Sequence, residues 1–139
     1  MKLIISDDDA FNKDSATKKV ANHIKKILSN KEGSICYYQY PLYKSESGFV
    51  PSLVLLDKDY GVVVFKCYNY TNEKLTKIAE NYWEVEGLKE KNQILDFEEY
   101  CHSLKSDIYR PKHKLIGKVG FRSFIVFPFI EEEQNIKDE

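Results

Sequence analysis

Three absences bound this 139-residue chain before any motif is read. Cysteine is scarce: Cys36, Cys67 and Cys101 are an odd number, far apart. That excludes a complete disulfide framework and a zinc knuckle, and leaves small buried residues in apolar surroundings. Long apolar runs are missing. None reaches the length of a transmembrane helix, and Met1-Lys2-Leu3-Ile4-Ile5 lacks the apolar region and cleavage site of a signal peptide. The expectation is a soluble, cytoplasmic protein with no membrane partner. An excess of either charge is also missing. With a net charge of −1, the whole chain has no general attraction for nucleic acid, so any such binding needs a local basic patch.

Histidine offers no metal site. His23 lies among lysines, His102 beside an apolar stripe and His113 in a basic loop, at separations that suggest no shared ion. There is no internal repeat and no long linker. What the chain does have is apolar and aromatic residues, 42% and 14% of the total. That composition belongs to a packed domain, and ten tyrosines with eight phenylalanines favour sheet. One domain over residues 1–130 is expected, followed by an acidic, flexible tail over 131–139.

Val20, Ile24, Ile27 and Leu28 recur at helical spacing and predict an amphipathic helix over 15–30, N-capped by Asp14 or Ser15. Residues 34–42 read as a tyrosine-rich strand. Residues 50–56 and 60–67 read as two strands of one antiparallel hairpin, because the intervening turn is too short for a crossover. The unbroken apolar run 62–65 places the second of these centrally in the sheet. Residues 72–87 fit two short strands as well as a helix. A second amphipathic helix over 92–109 carries the stripe Phe97, Cys101, Leu104 and Ile108, and Pro111 stops it. Residues 121–130 form a last strand. This order gives an α/β fold, a mixed sheet flanked by helices.

The hairpin carries the informative pattern. Gly48-Phe49-Val50-Pro51-Ser52 opens its first strand, and Tyr60-Gly61-Val62-Val63-Val64-Phe65-Lys66 forms its second. Together with Tyr37-Tyr38-Gln39-Tyr40-Pro41-Leu42, Tyr82-Trp83, the helix around 96–105 and Phe121-Arg122-Ser123-Phe124-Ile125-Val126-Phe127-Pro128-Phe129, this resembles the nuclease-related domain (NERD) family. That family is a branch of the PD-(D/E)xK superfamily found at the N-terminus of superfamily 1 helicase-like proteins. The resemblance runs over nearly the whole chain and implies a restriction-endonuclease-like core.

It also implies a metal site whose acids are missing here. Ser52 stands where the family has its first carboxylate, and Val64 where it has a glutamate two residues before the lysine. Lys66 matches. Thr17 falls at the position of the helix acid, and Asp96 at that of a polar residue on the second helix. Phosphodiester hydrolysis on such a core needs several carboxylate oxygens around magnesium, with the lysine steadying water or phosphate. Ser52 and Val64 cannot supply them. No cofactor is therefore expected, and magnesium or manganese enters only if relocated ligands, Asp96 with Lys66, serve instead. Asp57 and Asp59 read as turn formers, Glu98 and Glu99 as a solvated helix face. Lys66 itself is read as a structural relic paired with Asp96, or else as a contact for phosphate or an acidic partner.

Three functions stay open from the sequence. One is a catalytically degenerate domain that binds nucleic acid in a DNA-processing or defence setting. The second is an active nuclease with relocated ligands. The third is a module that pairs with an intact nuclease or helicase protein. For DNA, the dense basic stretch Arg110, Lys112, Lys114, with Lys118 and Arg122, is the first place to look, although a solvated loop explains it equally.

Overall fold

The computed structural model describes residues 1–39, 48–108, 120–130 and 137–138. Strand β1 (Lys2–Ile5) leads into two consecutive helices, α1 (Asp8–Lys13) and α2 (Ser15–Ile27). Asp14 serves both helices. Its N–H donates to the carbonyls of Ala10 and Phe11 at the end of α1, and its carboxylate accepts the Thr17 N–H at the start of α2. Neither β1 nor α1 was expected from the sequence, where both lie in a short segment with little periodicity.

Helix α2 buries Ala16, Thr17, Ala21 and Ile24, and keeps Lys25 and Lys26 in its last turn, where cations complement the helix dipole. It stops at Leu28, two residues before the expected end, and Gly33 turns the chain with φ +84°. Strands β2 (Ser34–Tyr38), β3 (Leu53–Asp57) and β4 (Gly61–Cys67) then form an antiparallel meander. Strand β2 ends at Tyr38 because Gln39 takes φ 49°; the remainder of the expected strand, 40–42, lies outside the described residues.

The hairpin turn has a specific chemistry. Asp57 is buried and accepts the N–H groups of Asp59 and Tyr60 at 2.9 and 2.8 Å, together with Lys31 Nζ at 2.8 Å and the Ser34 hydroxyl. Burial alone would raise its pKa, but these donors outweigh that and hold it well below the usual carboxylate range. Asp57 is thus a turn former, as expected, and an anchor to the end of α2 as well.

After β4 comes a second, smaller sheet of β5 (Leu75–Ile78), β6 (Tyr82–Val85) and β7 (Leu88–Lys91), which decides the ambiguous segment in favour of strands. Its core is Trp83, wholly buried among Tyr68, Tyr70 and Phe127. Helix α3 (Ile94–Ile108) follows, and β8 (Phe121–Val126) returns parallel to β4. The large sheet has the order β1-β2-β3-β4-β8, so β4 is central, as its apolar run required. Beyond Val126 the chain leaves the sheet through a turn, short of the expected end of that strand.

Within the stretch 131–139, β9 (Lys137–Asp138) pairs in parallel with Lys77 and Ile78 of β5. Charge composition alone does not reveal that the exposed edge of β5 offers backbone partners to that segment.

Two clusters sandwich the large sheet. On one face Ala21, Ile24 and Leu28 of α2 meet Cys36, Leu53, Leu55 and Val63. On the other Phe97, Tyr100, Cys101 and Leu104 of α3 meet Val54, Val62 and Val64. The chain is therefore an α/β protein with a mixed sheet flanked by helices. Among the described residues, no helix is long and apolar enough to cross a membrane.

Candidate functional site

Pairing between β3 and β4 sets Leu53 opposite Phe65 and Val54 opposite Val64. Ladder pairing stops at Leu53, and Ser52 lies just before the strand: its N–H donates to the Phe65 carbonyl at 2.9 Å, and its Oγ accepts the Cys67 N–H at 2.9 Å. Val64 and Lys66, two residues apart on β4, share the face that α3 covers, whereas Ser52 meets Cys67, which Thr17 also reaches from α2. Ser52, Val64, Lys66 and Thr17 thus gather at one end of the sheet, but not on one face.

Each is held differently. Ser52 is 3% exposed and its hydroxyl is engaged with Cys67. Val64 is wholly buried in the cluster with Phe97 and Tyr100. Lys66 Nζ donates to the Val50 carbonyl at 3.0 Å and lies over the rings of Phe49 and Tyr68, at 5.1 and 5.9 Å from their centroids. Burial lowers its pKa, and the negative charge of Asp14 brings it part of the way back. The ammonium is thus stabilised by a carbonyl dipole and two aromatic faces.

Thr17 also reaches this end of the sheet. It is wholly buried, hydrogen-bonds to Cys67, and donates its hydroxyl to the Asp14 carboxylate at 2.8 Å. The Tyr38 hydroxyl donates to the same carboxylate at 3.2 Å. From β4's far end, Asn69 Oδ1 accepts the Ser15 hydroxyl at 2.9 Å and the Ala16 N–H at 2.8 Å. The start of α2 is therefore tied to the strand ends by Asp14 and Asn69 together. Asp14 had been noticed only as a cap, and Asn69 not at all. A usable signal was present, since a capping acid three residues before Thr17 lies on the same first helical turn.

Asp96 does not pair with Lys66. Its carboxylate bonds Lys91 Nζ at 3.0 Å, because β7 runs directly into α3 and delivers that lysine five residues earlier. Contact between this end of α3 and the site comes through Gln93, which accepts the Tyr68 hydroxyl at 2.7 Å. Arg110, Lys112, Lys114 and Lys118 lie outside the described residues. Arg122 is on β8, its guanidinium 5.9 Å from the Tyr60 ring centroid. His23 and His102 are exposed, as are Glu98 and Glu99, while His113 falls outside the described residues.

These residues do not suit magnesium. The ion requires near-octahedral oxygen ligands, several of them anionic or water. Around Lys66 the one carboxylate that perturbs the ammonium is Asp14, and it already accepts Thr17 and Tyr38. Among the described residues, no three His, Cys, Asp or Glu gather where they could hold a metal. All three cysteines are buried and unpaired.

The chain matches no family model, no curated protein and no solved structure.

What remains is a polar cluster at the strand ends, made of the Asp14 carboxylate, the hydroxyls of Ser52, Thr17 and Tyr38, and the half-buried Lys66 ammonium.

Proposed function

We propose that this chain is a catalytically degenerate nuclease-fold domain of the NERD type, acting as a nucleic-acid or protein binding module in DNA processing or defence. The observation that supports it is the placement of Ser52 at the end of β4, bonded to Cys67 next to Lys66, with Val64 two residues before Lys66 on the same strand. Two acids and a lysine in that arrangement would make a metal-dependent phosphodiesterase. The order helix, three antiparallel strands, helix and parallel strand supports the same PD-(D/E)xK-type reading, with α2 and α3 on opposite faces of the sheet.

Retention of a lysine after the loss of its acids fits a binding role. The test is twofold. Purified protein should cleave neither DNA nor RNA with magnesium or manganese, and DNA binding should be followed across a salt series. Phosphate contacts would give a steep dependence on salt, whereas a module that binds only a nuclease or helicase protein would give no DNA binding to titrate. Metal-dependent cleavage abolished by Lys66→Ala would overturn the degenerate reading in favour of relocated ligands.

A further inference from the structure

Helix α2 covers one face of the large sheet as far as β4, but leaves β8 uncovered on that side. The result is a groove of about 710 Å³ between α2 and β8, floored by Phe65 and Phe124 and walled by Val20, Ile24 and Ile27. A smaller hollow of about 190 Å³ continues it past Leu55 and Val63 to Tyr60 and Arg122. Large apolar side chains lie open here: Ile27 is 66% exposed and Phe124 46%. Such a concentration marks an interaction surface better than scattered apolar residues do.

The charge around the groove is of one sign. Among the described residues, its charged lining residues are Lys19, Lys26 and Arg122, with no acid in either part. The sequence of both walls agrees: residues 15–31 contain five lysines and no Asp or Glu, and residues 120–130 contain Arg122 and no acid. Against a net charge of −1 for the whole chain, both walls are locally basic.

We infer that this groove docks an acidic amphipathic helix of another protein, laid beside α2 so as to complete the helical layer over β8. A helix fits because the open side chains belong to a sheet face, which helices cover in a two-layer packing. Acidity fits because Lys19, Lys26 and Arg122 would flank the buried seam and select against basic partners. A second copy of this chain fits poorly, since the same three cations would face themselves. Nucleic acid also fits poorly. Phe65 and Phe124 are stacked on each other in the floor, and Val20, Ile24 and Ile27 line the wall with aliphatic surface, where a single strand would need a run of open rings for successive bases. None of these residues belongs to the Lys66 site, so the inference stands or falls apart from the proposed function.

The test uses the full chain and a fluorescein-labelled probe peptide of about five helical turns, with leucines on one face and glutamates flanking them. A twin carries lysines in place of the glutamates. By fluorescence anisotropy the acidic peptide should bind about tenfold or more tightly than its twin, a difference of about 1.4 kcal/mol. Ile27→Ser should weaken it about tenfold, and Lys26→Glu should erase the preference between the twins. Both positions are exposed, so circular dichroism should not change, and Tm should fall by no more than a few degrees, the Lys26→Glu loss reflecting an acid in the last turn of α2. Equal binding of the twins, indifference to Ile27→Ser, or no binding of either peptide would each overturn the inference. So would displacement of the peptide by labelled oligothymidine at lower concentration, which would make the groove a nucleic-acid surface. A dimer that dissociates on Ile27→Ser would overturn it in favour of a second copy.

Discussion

Introducing the two acids that the proposed nuclease-type site would need tests that reading most directly. Val64→Glu places a carboxyl where the side chain is wholly buried against Phe97 and Tyr100. A glutamate in such surroundings has its pKa raised by up to about four units, or about 5 kcal/mol against the ionised form at neutral pH. Lys66, two residues along the same face, offsets part of this, leaving a loss of about 3–4 kcal/mol. Ser52→Asp should cost less, about 1–2 kcal/mol, because the Cys67 N–H and Lys66 are already at hand as partners. Against a total stability of about 5–15 kcal/mol the double variant is marginal but foldable. The sign of its pH dependence follows from the raised folded pKa. The penalty is nearly absent below the unfolded value and grows as pH rises above it. Urea denaturation at pH 5 and 7.5 should therefore show the double variant losing more at the higher pH. If the two acids and Asp14 can together hold an ion, magnesium or manganese at a hundred times its Kd should restore about 2.7 kcal/mol. The original chain should show no such restoration. A Val64→Glu loss below 1 kcal/mol, insensitive to pH, would mean that this position is not covered by α3, and the reasoning about the site would fail.

Other outcomes are expected on the same grounds. Asp57→Ala strips four donors of their acceptor and should cost about 2–4 kcal/mol in urea denaturation. In the original chain the depressed Asp57 pKa contributes stability above the ordinary carboxylate range, lost as pH falls through it, so Asp57→Ala should flatten the acid limb of the stability profile. Gly61→Ala should cost about 2–4 kcal/mol, since at φ +79° its Cβ would come 2.1 Å from the Gly120 carbonyl oxygen and force β4 and β8 apart. Burial pushes the Cys36 thiol up to about 12 and Cys67 and Cys101 to about 11, so native protein should react slowly with a thiol reagent at pH 8 and quickly in denaturant. The raised values also predict stability that is intact below the unfolded thiol pKa and lost progressively as pH climbs above it.

The hairpin was legible because each of its features is local. Alternation, a short turn and an unbroken apolar run decide pairing, direction and central position without reference to the rest of the chain. Boundaries were less legible, because they depend on single backbone choices such as the positive φ of Gln39. The second sheet was ambiguous for a related reason: Leu75, Ile78, Trp83 and Val85 support either periodicity, and only the aromatic cluster beneath Trp83 decides between them. At the site, alternation along β4 placed Val64 and Lys66 on one face, while Ser52 reaches the same strand end through its bond to Cys67. Asp96 escaped that logic. Its partner is chosen by the short connection from β7 to α3, which brings Lys91 to it. Asp14 and Asn69 were overlooked because their roles need the start of α2 and the end of β4 to meet, a contact spanning more than fifty residues.

That meeting also bears on why Lys66 persists. Lys66 is half-buried, and among the described residues no carboxylate bonds its ammonium, so folding gains little from a charge there. Here the ammonium lies over two aromatic rings and one carbonyl, each of them neutral, while the nearby acid is committed to capping α2. Folding alone therefore gives weak reason to keep a cation at this spot. A ligand with negative charge gives a stronger one, because it would meet a desolvated ammonium not already neutralised by a salt bridge. The groove beside β8 obeys the same logic on a larger scale: Lys19 is held by the Pro128 carbonyl and the Phe129 ring and Arg122 lies over Tyr60, so these cations too rest on neutral partners around an apolar floor. Both features fit a chain that presents fixed positive charge to an acidic partner.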